Sequence, residues 1–517
     1  MRKAQKRFSR TQVSRTLSVP SPVAGWNARD PLAEMKPTHA VILDNFFCTP
    51  FDVMVRYGYS NWATGITGNV NTLCSYSPPS GAIKLFGAAG ANIYDVSNTG
   101  AVGAAVQTLL TSDKWQHTNF GTAGGNFLYM VNGSDKPRLY DGAAWVAVDG
   151  ASVPAITGVT TTLLIHVAVF KSRLWFIEKS SLRVWYLPAL SVGGLAASID
   201  FSGLFNRGGY LMAMGDWSLD AGYGMDDYAV FVTSEGQVAV YKGTDPASAA
   251  TWSLVGIYDI GAPIGRRCLA KYAGDMTVIC KDGLAPLSKA LMSSRVNSQE
   301  MLTDNILHVM SDYTTSYGAI FGWETTLFPQ ENMLIVNVPT STSASYQLVM
   351  NTISGAWSRF IGWNAACMEL HGDLLYFGGN GVVCKAWDTQ ADNGSNINFE
   401  GQQSFNYFGS TAQLKQVQML RPIIATDGSP GILLGVNTDF DTTAPTGIPS
   451  FTASTSSVWD TAVWDASYWG GGLSIKKDWQ TAFGMGYCIA AHMTGSSNNI
   501  KLRWISTDYL VSGGGVI

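Results

Sequence analysis

Few residues of this chain stand at spacings that chemistry needs. Asp216, Asp220, Asp226 and Asp227 crowd one short stretch, and two nearby carboxylates can serve as acid and base on a glycosidic bond. Gly222-Tyr223-Gly224 lies among them and argues for a mobile loop instead of a rigid pair. Cys367, His371 and Cys384 form Cys-x3-His-x12-Cys. Zinc would want a fourth ligand, and Asp373 merely lies nearby. Both cysteines fall in runs that read as strands, so they are expected as core thiols. The six histidines (His39, His117, His166, His308, His371 and His492) are scattered and read as polar strand or loop residues. Signatures of a phosphate-binding loop, a dinucleotide fold, a zinc protease and a serine hydrolase are all missing. The expectation is a protein that is not an enzyme and holds no cofactor or metal.

The elements that would position any site are short and repeated. Between Leu85 and Asp388 an apolar run, a polar turn and a second run recur. The closer copies are Leu85–Asp95, Phe127–Asp141, Leu174–Tyr186 and Tyr228–Lys242; the looser ones are Met276–Ser288, Met333–Trp357 and Leu374–Asp388. Val230, Val232, Val238 and Val240 alternate with period two, which selects strands over a helical solenoid. The closing aromatics Tyr94, Tyr140, Tyr186 and Tyr241 are 46, 46 and 55 residues apart, a period of propeller blades. A strand pair of this kind cannot bury its apolar face alone. The fold class is therefore all-β, a β-propeller of six to eight blades.

Composition agrees. Charged residues are 14% of the 517, aromatics 12%, and there are 55 glycines. An average globular protein is about 25% charged. The seven cysteines are odd in number and form no CxxC pair, so they read as buried thiols in a reducing cytoplasm. No run of about eighteen apolar residues exists, so no membrane span is expected. The formal net charge of −4 hides a segregation. Arg2, Lys3, Lys6, Arg7, Arg10 and Arg15 fall in the first fifteen residues without an acid, leaving a basic arm on an acidic body. That arm is the candidate partner-binding element.

Three regions follow. Residues 1–60 are the arm and an anchoring segment with strands in Ala40–Phe47 and Val53–Tyr59. Residues 61–395 are the propeller, with a helical insertion near 287–312 opened by Pro286 and capped at Thr303-Asp304. Residues 396–517 are a β-sandwich or platform domain, with strands at Phe399–Phe408, Leu414–Ile424, Ile432–Val436, Tyr487–Ala491 and Leu502–Ile505. Trp459, Trp464 and Trp469 recur every five residues within it and read as aromatic plugs on a looped segment.

Several phrases together resemble a family. They are Gly25-Trp26-Asn27-Ala28-Arg29-Asp30-Pro31-Leu32-Ala33-Glu34-Met35 running into Ala40–Asn45, then Asp282–Ser288, Met350–Trp357, Gly362–Cys367, Leu375–Gly379, Trp459-Asp460, Trp464-Asp465 and Trp504–Tyr509. The set is similar to the tail nozzle (tail hub) structural proteins of short-tailed, podovirus-type bacteriophages, and its landmarks span most of the chain. The resemblance implies a virion protein assembled in the host cytoplasm: a homo-hexameric ring forming the distal tail tube below the portal-adaptor proteins. It also implies a conduit and gate for double-stranded DNA during ejection, and a mount for tail fibres or spikes. It brings no catalytic residues. The alternative is a propeller-type carbohydrate-binding adhesin or glycosidase of the tail.

Overall fold

In the computed structural model, each of the seven hairpins of the repeat supplies the second and third strands of an antiparallel run of three or four strands. The structure describes residues 14–220, 225–289, 298–447 and 473–515. The chain divides into two compact units. One is Tyr57–Thr352 with Phe360–Asn393; the other is Met1–Arg56 with Ile353–Arg359 and Gly394–Ile517.

The first unit is the propeller. Blade 1 joins the second half of the long strand Tyr59–Tyr76 to Lys84–Ala89 and Asn92–Asp95. Blade 2 is Gln116–Thr122, Gly125–Val131, Arg138–Tyr140 and Trp145–Ala147, and blade 3 is Leu164–Phe170, Arg173–Glu178, Arg183–Tyr186 and Ala197–Asp200. Blade 4 runs Leu211–Asp220, Met225–Thr233, Gln237–Gly243 and Trp252–Asp259. Blades 5 and 6 are three-stranded within this unit: Leu269–Tyr272, Asp275–Cys280 and Gly283–Pro286, then Glu324–Phe328, Met333–Pro339 and Ser345–Asn351. Blade 7 is Cys367–His371, Leu374–Gly378 and Asn380–Ala386, and its fourth strand is the first half of Tyr59–Tyr76. The first strand of each blade touches the first strand of the next, and the last touches Tyr59–Tyr76 again. Successive sheets closed in this way are a β-propeller.

Burial explains the sequence pattern. A blade is covered on both faces by its neighbours, so its middle strands carry continuous apolar runs and not a clean alternation. Leu128–Val131, Leu174–Ile177 and Leu334–Val336 are buried at every position. The closing aromatics end third strands and lean on fourth strands: Tyr140 lies 5.1 Å from Trp145 and Tyr241 stacks on Trp252 at 5.3 Å. Between blades 3 and 4, Trp175, Phe201, Phe231 and Trp252 fill one core.

The helical insertion differs from expectation in detail. Pro286 ends a strand and helical residues 287–289 follow it directly; a second helix is Leu307–Tyr317, after a short turn at Asp304–Ile306. Thr303 does not cap it, because its hydroxyl instead accepts from the Leu284 amide at 3.1 Å. The helix follows the third strand of blade 5, where blades 2 to 4 have a fourth. It buries Met310 and Thr314.

The second unit is built from two sheets. In one, the C-terminal strand Leu502–Gly515 pairs with Leu414–Thr426, with Arg15–Pro20 and with Val53–Val55. The other carries Gly25–Trp26, His39–Asp44, Ile397–Gln403, Ile489–Ser497 and Gly431–Thr438. Val19, Val417, Leu420 and Val511 from the first sheet pack on Ile489 and Ala491 from the second, which makes a sandwich. The anchoring segment is thus no separate body. Its strands supply edges that the C-terminal strands lack. Gln480–Gly486, unforeseen in the sequence, adds to Leu414–Thr426. Trp459, Trp464 and Trp469 lie outside the described residues.

The Gly25–Pro31 phrase is a packed corner. Gly25 has φ +84° and approaches Trp357 so closely that a Cβ would stand 2.6 Å from its backbone nitrogen and oxygen. The Asn27 carboxamide accepts from the amides of Arg29 and Asp30, an Asx turn. Trp26 donates to the Val41 carbonyl and carries the Arg359 guanidinium 5.3 Å above its ring. Arg359 also forms a two-pronged pair with Asp44 at 2.8 and 2.6 Å. Gly25→Ala should destabilise this unit by about 2–3 kcal/mol, from left-handed strain and backbone overlap together. Denaturant unfolding followed by tryptophan fluorescence checks this; an unchanged midpoint refutes it.

Candidate functional site

Polar groups converge where the first strands of the blades meet. Each of those strands lies against the first strand of the next blade. Arg267, just before the first strand of blade 5, is the centre of this hub. Its guanidinium donates to the Asn71 carbonyl, the Thr72 hydroxyl and the Trp115 carbonyl at 3.0, 2.8 and 3.1 Å. It also pairs with Glu324 at 3.1 Å and stands 5.1 Å from the Phe321 ring. One side chain thereby joins blades 1, 2, 5 and 6. Glu324 accepts from the Met368 amide of blade 7 as well. Both charges are nearly dry, at 14% and 7% exposure. Burial pushes the Glu324 carboxyl up to about 7, against the pull of Arg267.

Further struts follow the same logic. Glu369 of blade 7 accepts from the Ser75 amide and lies 3.5 Å from His117 of blade 2. His371 shares a hydrogen bond with the Ser75 hydroxyl at 2.9 Å. His166 of blade 3 donates through Nε2 to the Met214 carbonyl of blade 4 at 2.8 Å, and burial lowers its pKa to about 4, keeping it neutral. A cavity of about 380 Å³ opens here, bordered by His117, His166, Arg266, Lys271 and Glu369 together with the Arg267–Glu324 pair. A second cavity of about 360 Å³ is lined by Asn69, Asn71, Lys114 and Phe321. Arg267 faces the first and is hydrogen-bonded to Asn71 of the second, so it stands between them.

The sequence-derived candidates separate. Asp216 pairs with Lys271 of blade 5 at 2.6 Å, and Asp227 with Lys171 of blade 3 at 2.5 Å. Lys171 and the Ser218 hydroxyl hold the Asp227 carboxyl below the usual carboxylate range. These two acids are inter-blade ties and not an acid–base pair. The Gly222–Gly224 stretch, and the side chains of Asp220 and Asp226, lie outside what is described. Cys367 and Cys384 are buried, bonding to the Val70 carbonyl and the Asn61 side chain, and burial raises both thiols. His371 turns to Ser75 instead. Among the described residues no cluster of metal-ligating side chains occurs. Asn132 closes an Asx turn onto Ser134 and Asp135. Of the basic arm, Arg15 opens the strand paired to Leu502–Gly515, opposite Val511. Arg2, Lys3, Lys6, Arg7 and Arg10 lie outside the described residues. Among those described, no helix is long and apolar enough to cross a membrane.

The axial hub escaped the sequence reading. Its histidines look scattered because each belongs to a different blade. One signal was present: polar or charged residues beside or within the strand that precedes each apolar hairpin, as with Gln116-His117, Arg266-Arg267, Glu324 and Glu369.

No family model matches the sequence, and no curated protein matches it. Solved structures that resemble the chain include BBS1N in complex with ARL6DN, at 11% identity and TM-score 0.41, covering 66% of this chain and 100% of that one. YCF48 bound to D1 peptide is similar at 10% identity and TM-score 0.37, over 64% of this chain and 97% of that one.

Two outcomes test the hub. Arg267→Leu removes the bonds to Asn71, Thr72, Trp115 and Glu324 at once and should cost about 3–5 kcal/mol, read as a lowered urea midpoint. Glu324 keeps its proton to higher pH when folded than when unfolded. Its contribution is therefore full below pH 4.5 and is lost as pH rises through about 7, a change on the order of 3 kcal/mol. Glu324→Gln should flatten that part of the stability–pH curve, measured by urea unfolding from pH 4.5 to 8. An undiminished slope in the variant rules the carboxyl out as its source.

Proposed function

We propose that this chain is a structural protein of a short-tailed phage virion, the nozzle or hub ring at the far end of the tail tube. The observation that carries this reading is the closed axis. Arg267 ties four blades across it, and the cavity beside it, about 380 Å³, is of small-molecule size. Duplex DNA does not thread such a subunit; it passes through a lumen framed by several copies. Heterologous contacts that close by rotation build that frame, here a homo-hexamer. The ring sits below the portal-adaptor proteins, carries fibres or spikes, and retains and then conducts DNA without reading its sequence. Outside the arm the chain is net acidic, which lets a polyanion slide where a basic lumen would hold it.

The arm has a different job in this proposal. Arg2–Arg15 docks on an acidic face of the adaptor or of a neighbouring copy. Arg15–Pro20 is locked to Ser506–Val511 by strand pairing, which gives the preceding cations a fixed point of departure. Removing residues 1–13 leaves that strand intact. The truncated protein should fold with unchanged circular dichroism yet fail to join adaptor-bearing particles in a pull-down. Full attachment would exclude the arm as the dock.

The ring itself is tested by mass photometry of the full chain, alone and with adaptor-bearing capsids, together with a host-glycan screen. Multimers or particle-bound rings with no glycan binding support the proposal. A monomer that binds or cleaves host polysaccharide overturns it in favour of the adhesin or glycosidase.

A further inference from the structure

The axial cavity contains one cation that the hub leaves unmatched. Arg267 is held by Glu324, Lys271 by Asp216, and His117 lies beside Glu369. Arg266 borders the same cavity, half-buried. Among the described residues it makes no ion pair and no hydrogen bond; its electrostatic neighbours are Tyr210 and His166. His166 donates its Nε2 proton to the Met214 carbonyl and is neutral, so it brings no negative charge to balance the guanidinium. Neighbouring Glu324 and Glu369 are already tied to Arg267, to the Met368 and Ser75 amides and to His117.

A half-desolvated guanidinium without a partner is costly. Its planar fork of donors matches an oxyanion two bonds at a time. Lys271 stands on the same wall, 62% exposed and paired with Asp216, and adds positive potential at the cavity mouth. The volume admits a small molecule and not a chain segment of any length. We propose that the propeller axis holds a binding site for a small oxyanion, a phosphate or a carboxylate, gripped by Arg266 and assisted by Lys271. The site does not depend on the ring assignment: it would be present in the isolated subunit whatever the assembly.

The test is calorimetric titration of the full chain with inorganic phosphate and, separately, with citrate. The two arms distinguish phosphate from carboxylate as the preferred chemistry. Binding of either in the millimolar range or tighter, weakened at least about fivefold in Arg266→Gln, is the expected result for a charge-assisted bidentate contact. Arg207→Gln, which removes an exposed cation paired with Asp259, controls for net charge and should bind as the parent does. Arg266→Lys keeps the charge and loses the fork; it is read in the same way should Arg266→Gln not fold. No heat with either anion up to about 20 mM, a loss below fivefold, or an equal loss in Arg207→Gln overturns the proposal.

Discussion

A strand pair buries one face only when a second sheet covers it, and in a ring of sheets the covering must come full circle. Here that constraint is met by one strand. Tyr59–Tyr76 pairs along its first half with Asn380–Ala386 and along its second half with Lys84–Ala89. The same eighteen residues therefore finish the seventh blade and begin the first. Ala63, Ile66, Val70 and Leu73 on this strand share one core with Cys367, Tyr376 and Val383 from the chain's other end. Each blade-to-blade core depends on the two cores flanking it, and the closing strand leaves none of them open.

The charges follow from the same geometry. Packing of apolar runs fixes the faces of the blades, and polar side chains on or beside the first strands bond from one blade to another. The chain uses long polar side chains that reach across. Arg267 collects backbone carbonyls from two other blades and a carboxylate from a third. The price is a buried acid poised near neutrality.

The second unit solves the edge problem differently. A long terminal strand exposes unpaired backbone on both sides, and Leu502–Gly515 is covered on one side by Leu414–Thr426 and on the other by Arg15–Pro20 and Val53–Val55. Residues from the beginning of the chain are thereby built into its end. The phrase around Gly25 reads as a motif because so many of its atoms have fixed neighbours: a backbone that tolerates no Cβ, an Asx turn, and a tryptophan beneath an arginine already bound to Asp44.

The amino-acid sequence by itself determined the all-β class, the propeller and the hairpins. Burial on both faces writes long apolar runs into the middle strands, and tight turns write glycine and polar residues between them, so both are local signals. Leu174–Tyr186 and Tyr228–Lys242 could be read this way because each blade's hairpin is contiguous. The first strands could not. His117, Arg267, Glu324 and Glu369 have ordinary local contexts, and their meeting is a matter of ring closure between residues hundreds of positions apart. Only the tertiary structure decided that Asp216 and Asp227 tie blades together, that Thr303 bonds a strand instead of capping a helix, and that Tyr59–Tyr76 belongs to two blades. It also decided that Arg266 borders the cavity beside Arg267 without an ion-pair partner among the described residues. Long-range pairing has no period in the sequence, and that is the physical reason it stayed hidden.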